Sequence, residues 1–157
     1  MSKPTTDRHR FGHAISAEYA ISEEEVTRRF AGCRQWEDRM RQIILLAKAL
    51  PELPEALKTP ETALMGCENR VWLGHRRLED GSLHFYAASD GRIVKGLLVI
   101  VLTWVEGKTP EQLSGQDPLA PFDALGLRAE LSVSRAGGLA AIAGRINAIV
   151  ESYIPRA

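Results

Sequence analysis

The stretch that decides the fold is RVWLGHRRLEDGSLHFYAAS, Arg70–Ser89. Two runs rich in β-branched and aromatic residues, Arg70–Leu78 and Ser82–Ser89, flank Glu79-Asp80-Gly81. Asp-Gly between strand-like runs is a hairpin signal. In the first run Val71, Leu73 and His75 share one face, and Trp72, Gly74 and Arg76 the other. In the second, Phe85 and Ala87 oppose His84 and Tyr86. Ala63–Met65 is a candidate for a short third strand at an edge. His75 and His84 are isolated on paired strands and read as surface residues rather than ligands or bases.

Outward from the hairpin, Asp90-Gly91 ends the second strand, and Asp90 is a candidate cap for the next element. From Ile93 to Val105 the chain is apolar nearly all round. Its β-branched content suits a buried strand and its length a buried helix, so the residues alone leave both open. Gly96 would let a neighbour approach closely, and Gly107 is a plausible C-cap. Thr109-Pro110-Glu111 starts a short helix through Leu113. Pro118–Leu125 reads as another, ended by Gly126. Ser132 or Ser134 caps a last helix whose apolar face is Leu139, Ile142, Ile146, Ile149, Val150 and Tyr153. Gly137, Gly138 and Gly144 weaken that helix, so packing must hold it.

On the N-terminal side, Ser22 and Glu25 have capping-box spacing. Val26, Phe30 and Cys33 then share a helical face, which makes Cys33 a small apolar filler. Trp36, Met40, Ile43, Ile44, Ala47 and Leu50 mark a second amphipathic helix, ended by Pro51. Pro54 keeps the connector extended, and Glu55–Lys58 is expected to form one turn. Residues 1–21 read as a flexible tail and residues 22–157 as a single domain. His9 and His13 have i,i+4 spacing, but Gly12 lies between them and no helix signal surrounds them. Helices, a hairpin and then helices make the fold class α+β, with a small antiparallel sheet packed against several helices.

Composition narrows the function. At 157 residues the chain suits one domain with a core that needs no staple. Lys plus Arg is 20 and Asp plus Glu is 20, so there is no basic excess to hold phosphates and no direct nucleic-acid partner is expected. Gly96–Val105, the longest apolar run, is too short to span a membrane. Two cysteines are no disulfide framework. With no signal-peptide pattern, they fit a reducing cytoplasm. There is no Gly-rich phosphate loop, no CxxC pair and no Ser-His-Asp spacing.

The chemistry candidate is therefore one cysteine, and it lies just before the hairpin in MGCENRVWL, Met65–Leu73. Cys67 comes after Gly66, which leaves the backbone free for an unusual turn. Glu68, Asn69 and Arg70 come next, all polar. A reactive thiol here needs a positive neighbour or a helix N-terminus to ionise it. Arg70 is the nearest candidate in sequence. A buried structural cysteine is the competing reading.

GCENRVWL, with KALPELPEAL before it and DGRIVKGLL and GLRAELSVSRAGGL after it, resembles the SufE family of sulfur acceptors, with wording closest to its CsdE branch. The likeness runs from about Phe30 to the C-terminus. It implies a SufE/IscU-like fold in which the apolar run is the central helix. It also implies that Cys67 takes persulfide sulfur from a cysteine desulfurase, as an accessory sulfur carrier that stimulates that enzyme. Pyridoxal phosphate would belong to the desulfurase, with no cofactor bound by this chain. The sulfur would go to iron–sulfur cluster assembly or to a tRNA-modifying enzyme. The resemblance places the block containing Arg135 near the cysteine. Glu68, Asn69, Arg70, Asp90 and Arg135 are the expected docking residues. A noncatalytic iron–sulfur scaffold needs several converging ligands. A thiol redox sensor needs a resolving cysteine, for which Cys33 is the only candidate.

Overall fold

The computed structural model describes residues 21–64 and 69–155. The tail histidines His9 and His13 lie outside them, as do Met65, Gly66, Cys67 and Glu68. Described elements are helices α1 (Glu23–Ala31) and α2 (Trp36–Ala47), strands β1 (Val71–Arg77) and β2 (Leu83–Ser89), and helices α3 (Arg92–Val105), α4 (Pro110–Leu113), α5 (Ala120–Ala124) and α6 (Val133–Ser152). Single 3-10 turns cover Glu55–Leu57 and Arg128–Glu130. The α+β reading holds.

The apolar run is helical. In α3 every residue from Gly96 to Thr103 is buried, and so is Val105. Fourteen residues with apolar side chains on every face satisfy their own backbone and need cover all round. α2 packs along α3, β2 lies against it, and α1 and α5 touch it. The two helices meet closely at Gly96, where any Cβ would strike the Ile43 carbonyl of α2. α6 packs on β1 and α4. It buries Leu139, Ile142, Ile146, Ile149 and Val150, as its periodicity predicts. Ser132, rather than Ser134, caps it, with Oγ accepting from Arg135 N at 3.3 Å.

β1 and β2 form an antiparallel pair in register from Val71 opposite Ser89 to Arg77 opposite Leu83. Gly81 takes φ +89°, a left-handed position that glycine adopts freely. Its N–H closes the turn on the Leu78 carbonyl at 3.0 Å. The third strand shrinks to one bridge, Ala63 opposite Trp72. Leu64 N on Val71 O and Leu73 N on Thr62 O, both 2.8 Å, complete the pairing of that arm with β1.

Three expectations are corrected. His84 is fully buried, and its Nδ1 lies 2.8 Å from the Glu106 carboxylate, which also accepts from Phe85 N at 3.0 Å. His75 is half-buried and bonds the Tyr153 hydroxyl at 2.7 Å. Neither is a simple surface residue: each has a partner distant in sequence that removes the cost of burying a polar ring. Asp90 does not cap α3; Gly91 occupies the N-cap, and the Asp90 carboxylate turns to Arg70. Of the expected α2 face, Ile43 and Ala47 are buried and half-buried Trp36 and Leu50 pack on the core, while Met40 and Ile44 are only half-buried; Leu46 is buried as well.

Ser22 caps α1, its Oγ accepting from Glu25 N at 3.1 Å. The Glu25 carboxylate does not return to the cap; it pairs with Arg28 and Arg29. Val26 and Phe30 are buried, and half-buried Cys33 packs beside them, its thiol facing the Arg29 carbonyl at 3.5 Å. Ile21, the first described residue, is already part of the core.

Candidate functional site

Two arms of backbone flank residues 65–68. The upstream arm, residues 59–64, is folded on itself by Thr62, whose Oγ1 donates to the Leu57 carbonyl at 2.9 Å and accepts from Thr59 N at 3.0 Å. The downstream arm begins at Asn69 and runs into β1. Cys67 and Glu68 themselves lie outside the described residues, so the site is defined by its surroundings.

Arg70 is tied to Asp90 by three hydrogen bonds. Its backbone N donates to Asp90 Oδ1 at 3.0 Å, its Nε donates to Oδ2 at 2.9 Å, and Asp90 N donates back to the Arg70 carbonyl at 3.3 Å. These hydrogen bonds, the side-chain one first, hold the Asp90 carboxyl below its ordinary value of 3.8. The Arg70 guanidinium also stands 5.2 Å from the Trp72 ring centroid, as does the Lys58 ammonium. Arg70 is thus largely committed, which weakens it as the cation that ionises the thiol.

Asn69 reaches inward instead. Its side chain lies over Gly91 so closely that a Cβ there would stand 2.5 Å from Oδ1. Asn69 therefore sits against the N-terminus of α3. Arg135, half-buried on the first turn of α6, shares with Asn69 the wall of a small cavity of about 20 Å³. Val71, Leu97, Leu139 and Ile142 give that wall an apolar side. The volume suits roughly one water-sized atom. Val94 and Ser134, from the first turns of α3 and α6, also line it, so two helix N-termini converge here. Their dipoles and the Arg135 charge favour an anion. The apolar wall favours a neutral group. A thiol at this spot is held neutral by the wall and drawn towards ionisation by its polar end.

The structure thus brings Asn69, Arg70, Asp90 and Arg135 to one end of the fold. Asn69 and Arg135 share a cavity; Arg70 and Asp90 share an ion pair. Sequence reasoning missed Lys58 and Trp72 as companions of Arg70, and Gly91 as the seat of Asn69. The Asp90-Gly91 break before a long helix was the one available signal for the helix N-terminus. A larger cavity, about 450 Å³, lies elsewhere, walled by Trp104, Leu113, Pro121 and Val150. It touches neither Asn69 nor Arg135. Among the described residues no three His, Cys, Asp or Glu gather as a metal site, and no helix is long and apolar enough to cross a membrane.

Comparison with known proteins agrees with this architecture. A family model described as SufE, Fe-S metabolism associated domain, matches residues 24–150. The chain is 49% identical over 151 residues to the sulfur acceptor protein CsdE of Escherichia coli K12, covering 96% of this chain and 99% of that protein. It is 40% identical over 129 residues to an uncharacterized SufE-like protein of Rhizobium meliloti, covering 80% of this chain and 92% of the relative. A SufE-like protein of Rhizobium etli, also uncharacterized, is 37% identical over 131 residues, 82% of this chain and 88% of its own length.

Proposed function

The chain belongs to the SufE family, and from that premise we propose that it is a sulfur acceptor whose Cys67 receives persulfide sulfur from a cysteine desulfurase and passes it on. The Cys67 thiolate attacks the outer sulfur of the donor's cysteine persulfide. A sulfur–sulfur bond forms to Cys67 while the donor's sulfur–sulfur bond breaks. The donor cysteine leaves as a thiolate, and there is no net oxidation. The same exchange in reverse roles hands the sulfur to a downstream acceptor, in iron–sulfur assembly or in a tRNA-modifying enzyme. Pyridoxal phosphate serves the donor, and this chain needs no cofactor for its own step. A carrier that works through a free thiol belongs in a reducing compartment such as the cytoplasm.

The observation that carries this reading is the small cavity bounded by Asn69 and Arg135. A thiol flanked by Asn69 can shelter there from oxidants, against an apolar wall, beside a cation and two helix N-termini. Glu68, Asn69, Arg70, Asp90 and Arg135 are the residues we assign to partner docking; of these, Asn69, Arg70, Asp90 and Arg135 gather at one end of the fold. The test is mass spectrometry after incubation with a cysteine desulfurase and cysteine. One added sulfur on Cys67, absent from Cys67→Ser, supports the reading. A Cys67→Ser chain that stimulates the desulfurase as well as wild type overturns it.

A further inference from the structure

Between Gly96 and Val105 every residue of α3 is buried except Trp104. The half-buried Trp104 lines the cavity of about 450 Å³, whose apolar floor it shares with Leu113, Pro121, Ile146 and Val150. From α5 come Ala120 and Ala124, one turn apart, whose methyl groups leave open the space that larger side chains would fill. Concave sites of roughly 300–1,000 Å³ with apolar walls and a few polar groups are the kind that hold small molecules. The polar residues of this wall, Lys108, Gln112, Gln116, Asp117 and Asn147, are exposed or half-buried. Asp117 is the one acid among the described residues of the wall, and its Oδ1 already accepts from Leu119 N at 2.9 Å. Gln112 Oε1 accepts from Thr109 N at 2.8 Å, which leaves its amide hydrogens to donate outward. Lys108 Nζ stands 3.2 Å from Glu23 Oε2, in a partly exposed pair that another carboxylate can replace at little cost. An ammonium and carboxamide donors thus border an apolar floor. The complementary ligand has an apolar body and an anionic head.

We propose that this cavity is a binding site for a small apolar monocarboxylate, its hydrocarbon chain lying against Trp104 and its carboxylate taking the place of Glu23 at Lys108. The cavity touches neither Asn69 nor Arg135, so the site does not rest on the sulfur-acceptor reading. A neutral ligand with the same chain fills the floor but makes no ionic contact with Lys108.

The test titrates the full chain at neutral pH with octanoate, below its micelle concentration, and with octan-1-ol. The readout is the indole N–H resonance of Trp104 by NMR, assigned with Trp104→Phe, with Trp36 and Trp72 as controls. Octanoate is expected to shift Trp104 saturably and to leave Trp36 and Trp72 in place. Lys108→Met should weaken octanoate about fivefold and leave octan-1-ol unchanged. Glu23→Gln, which frees Lys108, should tighten octanoate about threefold, a gain that damage to the fold would not give. Ala124→Leu should abolish binding by filling the cavity. No saturable shift of Trp104 overturns the proposal. So does an octanoate affinity unchanged in Lys108→Met, or an equal loss for both ligands in that variant. Shifts spread over all three indoles mark unspecific association and overturn it. A Trp104 resonance that moves with protein concentration alone makes a second copy the occupant, and binding that survives Ala124→Leu places the ligand elsewhere; either result overturns it as well.

Discussion

Arg70 and Asp90, twenty residues apart, hold each other through one side-chain and two backbone hydrogen bonds at the point where the thiol segment enters β1. Both side chains are substantially exposed, so the ion pair adds little to global stability. Its effect is local. Asp90→Ala is expected to raise amide exchange at Arg70 about tenfold, with exchange in α3 unchanged. The Asp90 carboxyl, held below 3.8 by Arg70, keeps the tie intact above that value; the tie is lost as pH falls through the lowered one. Carboxyl titration by NMR should show Asp90 rising towards 3.8 in Arg70→Ala. An unchanged midpoint in that variant would mean that Arg70 is not the cause.

Gly96 brings α2 and α3 into close backbone contact. A methyl group there meets the Ile43 backbone carbonyl, which cannot turn aside as a side chain could. In an exposed helix Gly→Ala stabilises by up to about 1 kcal/mol. Here the helices must move apart, so Gly96→Ala is expected to destabilise by about 1–3 kcal/mol, as overpacking does. The urea midpoint decides it, and a stabilised variant would show that the helices have slack.

Periodic elements were legible in the sequence because burial alone writes their pattern. The spacing of Leu139, Ile142 and Ile146 gave the face of α6, and Asp80-Gly81 gave the turn. The all-apolar run of α3 was not decided by its pattern, since a segment buried on every side loses the period that separates helix from strand. The α2 face was legible at Ile43 and Ala47 but missed Leu46, because Ile43, Ile44, Leu45 and Leu46 are four apolar residues in a row and their pattern alone does not choose among them. Cys67, Arg70, Asp90 and Arg135 were legible as candidates, one by one. Their pairing was not, because Arg70 with Asp90 and Asn69 with Arg135 are tertiary relationships. Arg145 was invisible: it donates to the carbonyls of Glu61, Ala63 and Leu73, and an arginine bound to backbone leaves no motif.

The buried pair of His84 and Glu106 joins β2 to the end of α3. Glu106 accepts from the Phe85 backbone as well as meeting His84 Nδ1. Glu106→Ala strands a buried N–H and removes a partner of the ring, so it is expected to cost about 3 kcal/mol. Glu106→Gln keeps an acceptor for Phe85 and should cost roughly half as much. Chemical denaturation measures both. A loss below about 1 kcal/mol for Glu106→Ala would mean that water or a rearranged neighbour takes over the two contacts.

His75 gives the fold a pH dependence of predictable sign. Burial first, and the positive charge of Arg145 second, hold its imidazole below the ordinary 6.5. The unfolded chain therefore takes up a proton near 6.5 while the native chain does not. The stability owed to neutral His75 is fully present above 6.5 and is lost as the pH falls from there through the lowered native value. The slope of the urea midpoint against pH in that window should flatten in His75→Gln, and parallel curves for the two chains would refute the assignment. NMR titration separates the two causes. In Arg145→Met the midpoint of His75 should rise but stay below 6.5, because the burial remains after the charge has gone.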